Sequence, residues 1–170
     1  FNYTHSPKAQ DAGGLTLDQA LKNPSQARQR NVDYDTFEKI DQLKMGVRWL
    51  QKWRSDWNLD TYAFFSIRDF YGKLPFENGG IVDLYRNYFG AGSRLTYSKT
   101  IKNISHQWQL GMEAASQSDQ RDRFLNQNGT QGASVFSQQE RFDSFGLYVL
   151  DELKAEQWLL RSSLRFDHQT

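Results

Sequence analysis

The chain contains no cysteine. Disulfides, thiolate metal sites and thiol nucleophiles are therefore excluded. It also has no apolar run of about 18 residues, so no segment can cross a bilayer as a single helix. Charge of neither sign dominates: 21 basic residues stand against 20 acidic ones. That balance implies no polyanionic partner, and no nucleic acid is expected. Phe1-Asn2-Tyr3-Thr4-His5 is not a basic stretch leading into an apolar core, so it is no signal peptide. Gly-Xaa-Ser-Xaa-Gly is missing, no nucleophile triad can be assembled, and the chain is expected not to be an enzyme. His5, His106 and His168 lie far apart, and none has a second ligand at helical metal spacing. They read as surface or interfacial histidines, and neither a metal nor another cofactor is expected.

What the chain does have is alternation. In Leu43-Lys44-Met45-Gly46-Val47-Arg48-Trp49 the odd positions are apolar and the even ones are not. Successive side chains of a strand point to opposite faces, so one face is greasy and the other wet. The same pattern recurs. One face collects Phe89, Ala91, Leu95 and Tyr97; Trp108, Leu110, Met112 and Ala114; Phe145, Leu147 and Val149; and Trp158, Leu160, Leu164 and Phe166. The opposite face collects Arg48, Gly90, Gly92, Arg94, Gln107, Gln109, Glu113, Arg161, Arg165 and Asp167. Aromatics reach 15% in a chain that is only 38% hydrophobic. Trp and Tyr at strand ends suit the boundary between lipid and water. The expected fold class is all-β: an antiparallel meander of long strands, part of a transmembrane β-barrel.

A pass along the chain predicts the end of a strand at 1–5 and six further strands, near 39–51, 57–71, 81–97, 106–118, 139–152 and 158–167. Tight turns are expected at 52–56, 99–103 and 154–156. Long polar connections are expected at 6–36, 74–80 and 120–138. Within the first, Thr16 is the N-cap candidate of a short helix. The second strand fits worst, because Tyr62 and Phe64 are apolar beside Ala63, Phe65 and Ile67. Residues 142–158 also fit a helical stripe, although Gly146 favours strand, turn, strand. Gly90-Ala91-Gly92 reads as room for a close neighbour or a bend rather than a nucleotide loop. Arg121 and Arg123 with Asp119 and Asp122 read either as a solvated charged loop or as a ligand contact. Arg28 and Arg30, near Tyr34, carry the same two readings.

Two sets of motifs resemble one family. Ala12-Gly13-Gly14-Leu15-Thr16 and Asn23-Pro24-Ser25-Gln26-Ala27-Arg28 resemble the "D-P-G-G-L-T … N-P-x-Q-A" loop of a subgroup of TonB-dependent outer-membrane receptors. Gly90-Ala91-Gly92-Ser93-Arg94-Leu95-Thr96-Tyr97 is similar to a barrel strand of that group. Gly146-Leu147-Tyr148-Val149-Leu150-Asp151-Glu152-Leu153 and Leu160-Arg161-Ser162-Ser163-Leu164-Arg165-Phe166-Asp167 resemble its "Y-x-Q-D-E-x … L-x-x-G-x-R-Y-D" hairpin. Ala12, Leu150 and Ser163 depart from the usual proline, glutamine and glycine.

Such receptors close a barrel of roughly 22 strands around a plug domain. The resemblance therefore implies that residues 1–170 are one partial barrel domain of about six to seven strands, with the plug outside it. It also implies a place in the bacterial outer membrane, lipid around the apolar face, and TonB reached through the part not included. The implied function is active uptake of a small-molecule chelate, such as a ferric siderophore. Pyrroloquinoline quinone is an alternative cargo, since the Gly-Gly-Leu-Thr subgroup looks like its transporters. A self-contained soluble β-barrel binding a small ligand is the rival reading. The expected ligand-binding residues are Arg28, Arg30, Tyr34, Arg94, Arg121 and Arg123, because arginine pairs well with oxygen-rich anions.

Overall fold

The computed structural model describes all residues, 1–170. Its strands are β1 (Asn2–Gln10), β2 (Phe37–Arg54), β3 (Trp57–Lys73), β4 (Ile81–Ile101), β5 (Ile104–Gln127), β6 (Thr130–Ala155) and β7 (Trp158–Gln169). Two short helices, α1 (Leu17–Lys22) and α2 (Gln29–Asp33), lie between β1 and β2. The strands form one sheet in the order β1-β2-β3-β4-β5-β6-β7. No pairing joins β1 to β7, so the sheet does not close on itself as a self-contained soluble barrel would. No helix is long and apolar enough to cross a membrane.

The strands are longer than their alternation suggested. β5 runs to Gln127 and β6 starts at Thr130, so the polar stretch 120–138 is strand on both sides of a two-residue turn. The expected long loop there is wrong, and Arg121 and Arg123 are strand residues. The turn is Asn128-Gly129, both with positive φ, which is the dipeptide that a two-residue hairpin turn needs. Ser, Gln and charged side chains do not prevent a strand when neighbours complete its hydrogen-bond ladder. The connection expected at 6–36 begins later, because β1 continues to Gln10 against β2 across a bulge between Ser6 and Ala9. In β6 and β7 the register is unbroken from Ala155↔Trp158 to Ser144↔Gln169, so the helical alternative for 142–158 is also excluded.

Thr16 does cap α1. Its hydroxyl accepts from Gln19 N, and the Gln19 side chain accepts from Thr16 N, a complete capping box. The helix α2 had no periodic signal; it is a single turn held by backbone bonds such as Asn31 N to Arg28 O.

The apolar residues do not gather into a conventional core: Ile81 is the one buried hydrophobic side chain. The predicted greasy face is instead exposed, apart from half-buried Leu43, Leu95 and Tyr97. Along β5 the apolar positions Trp108, Leu110, Met112 and Ala114 give way to Ser116, Ser118, Gln120 and Asp122 on the same face. On β4 the same band spans residues 89–97, about the length a tilted transmembrane strand of roughly nine to eleven residues requires. β5 and β6, at 24 and 26 residues, run well past it.

The misfit of β3 has a steric explanation. Phe64 lies over Gly90 and Tyr62 over Gly92, where a Cβ on either glycine would come within 2.7 Å of the ring. The glycines are room for close neighbours, and aromatic rings on the polar face fill the gaps they leave.

The chain divides into two compact units. One comprises residues 1–44, 66–87 and 118–140 and holds the connections β1–β2, β3–β4 and β5–β6. The other comprises residues 45–65, 88–117 and 141–170 and holds the apolar band and the turns β2–β3, β4–β5 and β6–β7. In an antiparallel meander alternate connections share an end.

Candidate functional site

In the unit with the β1–β2 connection, a fully buried side chain ties the connections together. Asn126, near the end of β5, donates its amide to Leu74 O at 3.0 Å and Tyr34 O at 3.2 Å. Its Oδ1 accepts from Gly129 N at 2.8 Å, and its backbone N–H bonds Glu77 O at 2.8 Å. One residue thus satisfies backbone groups from three connections, as a buried amide must.

Beside it, Asp35 receives Lys8 Nζ at 3.0 Å and Lys73 Nζ at 3.1 Å. Lys73 also donates to Gly129 O at 2.6 Å. The Lys8 hydrogen bond, opposed by partial burial and helped by Lys73, holds the Asp35 carboxyl below its ordinary range. Both ammonium groups also lie over the Phe37 ring, at 4.6 and 5.2 Å. This frame fixes where Tyr34 and α2 stand.

The predicted ligand residues are distributed as follows. Arg28 is the N-cap of α2, exposed, with no side-chain partner. Arg30 is exposed on α2, and its guanidinium lies 5.8 Å from the Tyr34 ring. Tyr34 is half-buried and caps the same helix. Arg121, on β5, pairs with Glu140 at 3.3 Å. Arg123 shares the face of Arg121 two residues on and makes no ion pair. A Cβ at Gly79 would touch its Cδ at 3.5 Å, so its stem lies along the β3–β4 connection. The cluster Asp119, Arg121, Asp122, Arg123 is therefore split by strand alternation: Asp119, Arg121 and Arg123 share one face and Asp122 takes the other.

Asp119 itself is buried and holds Arg86 in a two-pronged pair, at 2.8 and 2.5 Å. Sequence reasoning did not single out Arg86. Its signal was the run Arg86, Tyr88, Gly90, Gly92, Arg94 along one face of β4.

Arg94 belongs to the other unit, where it reaches Asp60 at 2.8 Å. Asp60 also takes a two-pronged contact from Arg48, at 2.8 and 2.7 Å. Farther along that face, Arg165 bonds both Asp167 and Glu113, and Arg161 pairs with Glu152 at 2.5 Å. In this unit the face opposite the apolar band thus pairs Arg48, Arg94, Arg161 and Arg165 with carboxylates, although Arg94 Nε is buried without a hydrogen-bond partner. No three His, Cys, Asp or Glu side chains gather as a metal site. Chemically, the arrangement can hold an anion at the unpaired arginines near the connections.

Comparison with known proteins agrees with this geometry. The siderophore receptor PiuA from Acinetobacter baumannii has a similar fold, with a TM-score of 0.58 and 12% identity over 79% of this chain and 26% of that one. The ferric citrate transporter FecA in its unliganded form matches with a TM-score of 0.67 and 18% identity, over 95% of this chain and 25% of that one. The outer membrane transporter YddB from Escherichia coli matches with a TM-score of 0.54 and 15% identity, over 79% and 22%. The chain spans about a quarter of the length of each of these structures. The family model described as "TonB dependent receptor-like, beta-barrel" matches residues 1–170, and the chain accordingly belongs to the TonB-dependent receptor β-barrel family.

Proposed function

We propose that this chain is a wall segment of an outer-membrane receptor that takes up a small anionic metal chelate, of the ferric siderophore or ferric citrate kind. The observation that carries the reading is the two-faced sheet. One face exposes apolar side chains in a band of membrane height, and the other pairs its ions with one another. Lipid suits the first face and a wet lumen the second. Energy for uptake would come through TonB and a plug domain belonging to the rest of the receptor.

Within this segment the capture residues are Arg28, Arg30, Tyr34 and Arg123. Their side chains are not committed to carboxylates, in contrast to Arg121 with Glu140 and Arg94 with Asp60. An exposed arginine contact is worth about 1 kcal/mol or less. Three of them acting together would change affinity by about tenfold and by no more than about a hundredfold.

The test is binding of ferric citrate and of a ferric siderophore to the full receptor, with Arg28, Arg30 and Arg123 all changed to Ala. The expected result is weaker binding of one of these chelates by about tenfold, with the barrel still inserted. Unchanged affinity for both would remove these residues from the site. Binding of pyrroloquinoline quinone but of neither chelate would replace the cargo and keep the receptor.

A further inference from the structure

At the β2–β3 turn, Trp53, Arg54, Trp57 and Leu95 line an open groove of about 590 Å³. Trp57 packs on Tyr97, with ring centroids 4.7 Å apart and planes tilted by 45°. Trp57, Leu95 and Tyr97 belong to the apolar face, since Trp57 stands across β3 and β4 from Tyr97. Trp53 is 67% exposed, which is costly for a tryptophan in water and ordinary at a lipid boundary. Arg54 has no carboxylate, hydrogen-bond or ring partner in the chain.

The turns of this unit carry a charge bias that the chain as a whole does not. Lys52, Arg54, Lys99 and Lys102 are exposed and unpaired, against Asp56 alone at the β2–β3 and β4–β5 turns. The β6–β7 turn, with Lys154 and Glu156, is balanced.

We propose that this groove is a binding site for one anionic glycerophospholipid of the leaflet at the tight-turn end. Its phosphate sits on Arg54, with Lys99 and Lys102 beyond Ser98, whose N–H bonds Asp56 O of this turn. Its acyl chain runs down Leu95 between the two indoles. The charge complementarity selects an anionic headgroup, because basic residues at a membrane surface attract anionic lipid. The aromatic walls select a lipid over a free anion, since an indole at the interface covers acyl chain and leaves its N–H to the headgroups. The inference rests on the membrane reading above, in which the apolar face meets lipid.

The test uses the full receptor purified in detergent and offered dioleoylphosphatidylglycerol or dioleoylphosphatidylcholine, with bound lipid counted by native mass spectrometry. Insertion is checked separately, by the heat-dependent gel shift of a closed barrel. Wild-type receptor should retain phosphatidylglycerol at least about fivefold better than phosphatidylcholine. Arg54→Gln should abolish that preference and Arg54→Lys should keep most of it. Trp57→Ala should weaken retention of both lipids, whereas Trp158→Ala, at the balanced turn, should not. Equal retention of the two lipids by wild type would overturn the proposal without reference to any variant. So would an unchanged preference in Arg54→Gln, an equal loss in Trp158→Ala, or displacement of the lipid by millimolar inorganic phosphate. Loss of the gel shift in wild type would instead overturn the barrel reading on which the site depends.

Discussion

Asn126 reaches back 52 residues to donate its side-chain amide to Leu74 O at 3.0 Å, and with the same nitrogen it holds Tyr34 O. The buried amide acts as the fastener of the three connections. Replacing it by Ala would leave Tyr34 O and the Gly129 N–H without their partner, while Leu74 O keeps Phe76 N. Each such group costs about 1–3 kcal/mol, moderated where water enters. Asn126→Ala in the full receptor should therefore unfold at lower urea and lose amide protection at Gly129 first, read by hydrogen exchange. Asn126→Asp should be no better, because a carboxylate offers no donor to the two carbonyls. Unaltered protection at Gly129 would remove Asn126 as the fastener.

The clamp on Asp35 gives a pH dependence whose sign is fixed. Its carboxyl is held below its ordinary value by Lys8 first and then Lys73. A depressed carboxyl adds stability that is fully present above its unfolded pKa of about 4 and is lost as pH falls through the lower folded value. Asp35 is 43% exposed on its side chain, so screening limits the contribution to about 1 kcal/mol or less. The stability gap between wild type and Asp35→Asn should be constant from about pH 5 upward and should close below about pH 4. A gap that widens in acid would contradict the clamp.

Gly90 and Gly92 both face rings, but they should not tolerate alanine equally. A Cβ at Gly90 would lie 2.8 Å from the Ala114 carbonyl oxygen as well as meeting Phe64. At Gly92 the obstacle is the far end of Tyr62, which can swing aside. Overpacking costs about 1–3 kcal/mol where the neighbour cannot yield. Gly90→Ala should fall in that range and Gly92→Ala below it, measured by urea unfolding from lipid vesicles.

The Arg86–Asp119 pair should be lopsided under mutation. Asp119 is 1% exposed, so Arg86→Met leaves a buried carboxylate without its cation and should cost about 3 kcal/mol. Adding Asp119→Asn should recover much of that loss, because the uncompensated charge is gone. A double-mutant cycle in urea measures both, and additive costs would show that the two residues do not interact.

Much of the sheet was legible without coordinates, because alternation is a local property. Residues two apart share a face whatever their partners are, so Met45, Val47 and Trp49 declared the apolar face of β2 on their own. The turns near residues 55, 102 and 156 were legible for the same reason, since turn chemistry lies within a few residues. The polar ends of the strands were not legible. Residues 118–127 and 130–140 of β5 and β6 carry few apolar side chains, and Phe124-Leu125 and Val135-Phe136 fall in adjacent pairs rather than alternating; they are strands because neighbouring backbone completes their ladder.

The candidate site divides along the same line. Its arginines could be named from the sequence, but which of them are free was decided by partners far along the chain. Arg86 finds Asp119 33 residues on, and Arg94 finds Asp60 34 residues back, while Arg28 and Arg123 find no carboxylate. The sequence by itself determined which face of each strand is greasy and which is charged. The tertiary structure alone decided which charges cancel, because ion pairing depends on distance in space, and strand register sets that distance.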